Sequence, residues 1–60
     1  MFRPGQKVTY VENGKREHGI VKRSTGKYSY VVYQCAGNWE RYNEYTAVRT
    51  QIHTLVPGWI

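Results

Sequence analysis

Apolar and polar residues along this chain alternate in short runs, and each run ends at glycine, asparagine or serine before a helical period can develop. Lys7 to Glu12 puts Val8 and Tyr10 on one face of a strand and Thr9 and Val11 on the other. Asn13-Gly14 follows, and both residues tolerate the positive φ of a type I′ hairpin turn. Glu17 to Arg23 is the second predicted strand, and Gly19 inside it marks a bulge, a sharp bend or a close backbone approach. Ser24 to Lys27 turns the chain into a third strand, Tyr28 to Cys35, which Ala36-Gly37-Asn38 ends. Trp39 to Tyr45 reads as an aromatic-rich loop with one turn of helix, since Trp39, Tyr42 and Tyr45 recur every third residue. Thr46 to Thr50 is a short fourth strand, Gln51 to Thr54 a 3₁₀ turn, and Leu55 to Trp59 a final edge strand. Pro57 suits that edge because it cannot donate to a ladder.

The third strand carries large apolar groups on both faces. Tyr28, Tyr30, Val32 and Gln34 share one, and Ser29, Val31, Tyr33 and Cys35 the other. A strand of that kind is central, with one face on the core and the other partly covered or used. The expected core is Val8, Ile20, Val31, Tyr33, Val48 and Leu55, with Ile52 closing one end. Trp59 and Ile60 are expected to pack back on the sheet. Five short strands joined by local turns in 60 residues predict an all-β domain curled into a small barrel, closure also protecting its edges.

Size narrows the picture further. Residues 1–60 form one domain, and a chain of this length buries only about 60% of the surface its unfolded form exposes, so its stability is expected to be marginal. The single cysteine, Cys35, forms no internal disulfide, and with His18 and His53 it falls one ligand short of a zinc site. No metal or cofactor is expected. Cys35 with either histidine is a weak nucleophilic pair in a chain with little concavity to exclude water, so no enzyme activity is expected. No apolar run approaches the ~20 residues that span a bilayer. A free cysteine without an export signal points to the cytosol.

The residues Pro4-Gly5-Gln6-Lys7-Val8-Thr9-Tyr10, Glu17-His18-Gly19-Ile20-Val21, Val31-Val32-Tyr33 before a Gly-Asn turn, and Leu55-Val56-Pro57 together resemble SH3-like barrels of the Tudor and chromo-barrel kind. Nearly the whole chain is covered, each piece by a weak motif. Small bacterial and phage-encoded proteins of unassigned function look similar, including the Tyr-x-Cys segment, the aromatic-rich insert and the terminal Gly-Trp. The resemblance implies a five-stranded Tudor-like barrel. It also implies an aromatic cage for methylated lysine or arginine, in which Tyr33 matches best, Tyr10 matches a second wall, and Trp39 or Tyr42 would have to replace the aromatic that Ala36 lacks. Asn38 is the nearest polar complement.

Nine Lys/Arg against four glutamates give a net charge of +5, which draws a small chain toward polyanions. Six tyrosines and two tryptophans exceed what so small a core needs. The expected function is a non-enzymatic module that binds a protein partner, or a second copy of itself, through an exposed aromatic and basic face. The alternative is nucleic-acid binding, with Lys22, Arg23, Lys27 and Arg41 on phosphates and Tyr28, Tyr30, Trp39 and Tyr42 as stacking platforms. A methylated-residue reader built on Tyr10, Tyr33 and Trp39 is the third reading.

Overall fold

The structure, a computed structural model, describes residues 2–33 and 37–60. The expected end of the third strand, Gln34 and Cys35, and the cage position Ala36 lie outside the described residues. Five strands form one antiparallel sheet: β1 (Lys7–Glu12), β2 (Lys15–Ser24), β3 (Tyr28–Tyr33), β4 (Val48–Gln51) and β5 (Leu55–Pro57), in the order β4-β3-β2-β1-β5. A 3₁₀ segment, Trp39–Glu44, lies between β3 and β4, and a second, Ile52–Thr54, joins β4 to β5.

The first hairpin forms as its turn chemistry demands. Asn13 and Gly14 both take positive φ, 53° and 77°, and Glu12 pairs directly with Lys15. That two-residue loop starts β2 two residues earlier than its apolar pattern indicates. Upstream, the Gln6 amide donates to the Arg3 carbonyl across Pro4-Gly5, with Gly5 at φ +86°, the turn that proline followed by glycine favours. The ladder irregularity in β2 falls between Val21 and Arg23 rather than at Gly19. Gly19 is required for a different reason: a Cβ there would stand 2.5 Å from Val31 Cγ1 and 3.0 Å from the Tyr33 ring.

Strand alternation sorts the sheet into two faces. On the inner face Val8, Val21, Val31 and Leu55 form the core, with Phe2, Tyr10 and Tyr33 packed against it. Ser29 is fully buried on the same face, its hydroxyl bonded to Ser24 Oγ at 2.7 Å, so a polar residue fills a core position without an unmet hydrogen bond. On the outer face Lys7, Ile20 and Val32 stand opposite one another, and the C-terminal tail covers the neighbouring positions. Thr9 Oγ1 donates to the Gly58 carbonyl at 2.7 Å and accepts from the Ile60 amide, while Trp59 Nε1 donates to the Gly19 carbonyl at 2.9 Å. The Trp59 ring stacks on His18 at 5.0 Å, and Lys7 Nζ lies 4.8 Å from its centroid.

Several expectations need correction. Val48 is 55% exposed, because β4 is an edge strand with β3 on one side only. Ile20 is buried on the outer face, not with Val8 and Val31. Val21 takes the inner position, one residue along in a strand whose phase its turn decides. β4 spans Val48–Gln51 rather than Thr46 to Thr50, and β5 stops at Pro57. Trp59 packs back as expected, but Ile60 is exposed. The sheet is also not closed: β4 and β5 occupy opposite edges and do not pair with each other among the described residues.

Candidate functional site

Two tyrosine pairs lie on opposite faces of the sheet, and their surroundings differ in charge. Tyr10 on β1 and Tyr33 on β3 flank β2 on the inner face, where side chain-free Gly19 lets their rings meet edge to face at 6.3 Å between centroids. They open into a cavity of about 410 Å³ whose lining includes Glu12, Glu17, Val48 and Thr50, with Arg49 at its β4 rim. The Tyr10 hydroxyl donates to Glu12 Oε2 at 2.5 Å. Hydrogen bonding to Glu12, reinforced by desolvation and that carboxylate's charge, raises the Tyr10 pKa above the ordinary tyrosine value. Thr50 Oγ1 spends its proton on the Val48 carbonyl, so Tyr33 is the donor in the 3.0 Å contact between the Tyr33 and Thr50 hydroxyls. Burial holds the Tyr33 hydroxyl above its ordinary pKa, and the negative charge of Glu17 acts in the same direction.

Chemically this cavity suits a cation: two π systems stand on the walls and two carboxylates in the lining outnumber the one guanidinium there, Arg49, in a protein of net charge +5. Of the three cage residues suggested by resemblance, Tyr10 and Tyr33 come together and Trp39 does not. Trp39 lies against Trp59, at 4.9 Å between rings, and lines a separate depression with Arg16, His18 and Ile60. Exposed Asn38 precedes the first 3₁₀ segment, and Glu12 and Glu17 supply the polar complement instead. Both glutamates were overlooked in the sequence although the signal was present: a two-residue turn at Asn13-Gly14 pairs Tyr10 with Glu17 directly.

The second pair, Tyr28 and Tyr30, sits on the outer face of β3. Arg23 Cζ lies 4.4 Å from the Tyr30 centroid and Arg49 Cζ 4.9 Å from that of Tyr28. Lys27 and Tyr28 line a shallow depression with Gln51, Ile52 and His53. The remaining predicted contacts are used elsewhere. Lys22 Nζ donates to the Tyr45 carbonyl at 2.9 Å, tying the first 3₁₀ segment to β2. Arg41 is held by Glu44 in a two-pronged pair at 2.7 and 2.8 Å, which raises its pKa. Tyr42 is half-buried, and its hydroxyl would stand 3.3 Å from a Cβ at Gly5. Arg49 was missed because its role depends on β4 pairing beside Tyr30, which an uncertain strand phase concealed.

Comparison with known proteins returns no matching family model, no matching curated protein and no matching solved structure. Among the described residues no cluster of three or more His, Cys, Asp or Glu could hold a metal, and no helix is long and apolar enough to cross a membrane.

Proposed function

We propose that this chain is a cytosolic, non-enzymatic binding module of the SH3-like, Tudor/chromo-barrel type that takes a cationic side chain of a protein partner into the Tyr10–Tyr33 cavity. The single observation that carries the reading is the pairing of two aromatic rings with two carboxylates around one cavity, in a chain that is otherwise strongly basic. A meander of four strands with the fifth returning to β1 is compatible with that fold assignment. Cation–π attraction contributes about 0.5–1 kcal/mol at an exposed site and ~2 or more when desolvated, so a methylated lysine or arginine gains more here than a strongly hydrated ammonium. Trp39 adds no third wall, so affinity should be modest and the carboxylates should carry much of it.

The test is titration of isotope-labelled protein with peptides bearing trimethyllysine, unmodified lysine or arginine. The reading expects amide shifts gathered at Tyr10, Tyr33 and Thr50, and weakening by about tenfold in a Glu12→Gln/Glu17→Gln double variant. Shifts that avoid those residues, or a double variant that binds unchanged, would sink it.

A further inference from the structure

The outer face carries a second recognition surface that shares only Arg49, on the edge strand β4, with the cavity. Across β2, β3 and β4, Arg23 stands opposite Tyr30 and Tyr30 opposite Arg49, with Tyr28 two residues away on the same face. Opposed residues in an antiparallel sheet point the same way, so Arg23, Tyr30 and Arg49 form a row about 10 Å across three strands, and Tyr28 lies beside it, two residues along β3 and under Arg49. Both arginines are exposed, yet each is held over a ring at 4.4 or 4.9 Å instead of ranging through solvent. Lys27 adds a third cation at the Tyr28 end.

None of the four glutamates lies in the row: Glu12 and Glu17 line the inner cavity, whose rim Arg49 also touches, and Glu40 and Glu44 are in the first 3₁₀ segment. Neither Arg23 nor Arg49 has a carboxylate within ion-pair distance among the described residues; Arg41–Glu44 is the ion pair found there. A flat row of cations on aromatic platforms, with no acid in ion-pair contact, matches an anionic ligand that also offers ring faces. We infer that the Arg23–Tyr30–Arg49–Tyr28 surface binds single-stranded nucleic acid, with Arg23, Arg49 and Lys27 on phosphates, and with bases stacking on the open guanidinium faces and packing against the tyrosine edges. A duplex hides its base faces, and a flat strand row has nothing to insert between them, so only the unpaired form can use both components of this surface.

The experiment is fluorescence anisotropy of a labelled oligothymidylate with the full chain across a salt series, beside a duplex of equal length. Three phosphate contacts predict a log–log salt slope of about −2. Arg23→Gln/Arg49→Gln should weaken binding at least tenfold and bring the slope to about −0.7, with circular dichroism unchanged because both side chains are exposed. Lys15→Gln/Arg16→Gln removes the same charge at the hairpin tip and should reduce binding by no more than twofold. Equal loss in the two double variants, a flat salt dependence, or tighter binding to the duplex would each overturn the assignment. Glu17→Gln should leave oligonucleotide binding intact, which keeps this outcome separate from that of the cavity.

Discussion

Tyr10 with Tyr33 and Tyr28 with Tyr30 are chemically the same residues placed in opposite fields. The first pair borders an inner cavity with Glu12 and Glu17, and its hydroxyls are committed to Glu12 and Thr50. The second pair lies on the outer face beneath Arg23 and Arg49. Residue type does not separate them. Strand phase does: a one-residue shift along β3 carries a tyrosine from a carboxylate-lined face to an arginine-lined one, because cross-strand neighbours change with the face. A small sheet can thereby offer two recognition chemistries within a few residues, provided that each face is held in register.

The largest expected effect comes from removing what covers the outer face beside the arginine row. Trp59→Ala abolishes the stack on His18, the contact with Lys7 and the hydrogen bond to Gly19. It should cost about 3 kcal/mol, a large share of what a domain of this size has, as a lowered urea midpoint would record. Gly19→Ala tests the inner face in turn. Its new methyl would overlap Val31 and crowd Tyr33, so a loss of about 1–3 kcal/mol is expected, together with weaker cation binding. If oligonucleotide binding fell in parallel at temperatures where the variant stays folded, the two faces would not be independent.

A smaller effect concerns pH. Burial raises the Tyr33 pKa in the folded chain above the unfolded value near 10, so the folded state holds this proton more tightly than the unfolded one. The associated stability is fully present below pH 10 and is lost as pH rises through the folded pKa. Tyr33→Phe should therefore show a shallower fall in stability above pH 10 than the parent chain, measured by urea unfolding at stepped pH. The smallest change is expected for Glu12→Gln, which removes the negative charge and leaves only a neutral amide acceptor for the Tyr10 hydroxyl. Tyrosinate absorbance should then report one tyrosine titrating at lower pH than before. An unaltered titration curve would detach Glu12 from the electrostatics of the cavity.

Local signals read from the chain were dependable where one or two residues decide the geometry. Asn13-Gly14 predicted the first hairpin, Ser24 to Lys27 the second turn, and Gln51 to Thr54 the second 3₁₀ turn, because each depends on backbone preferences of the residues present. Legibility failed where a residue's neighbours come from a distant strand. Val48 looks like a core valine, but its exposure follows from β4 having no neighbour beyond it. Thr9 and Ser29, polar residues absent from the expected core, are both fully buried with their hydroxyls satisfied. Tyr10 and Glu17 were a pair readable from the hairpin register, whereas Arg49 beside Tyr30 required a strand 19 residues further along to find its phase.

By itself the sequence determined the all-β character, the strand count, the main turns and a surplus of aromatic and basic groups, since alternation and turn propensity act within a few residues of one another. Only the tertiary structure decided that the sheet stays open, that Trp39 joins Trp59 instead of the tyrosine pair, and which charges each tyrosine meets. Those outcomes depend on register between strands and on the path of the tail over Thr9 and Gly19. The tail's contacts join residues 40 or more positions apart and are selected by burial and hydrogen bonding, not by local preference.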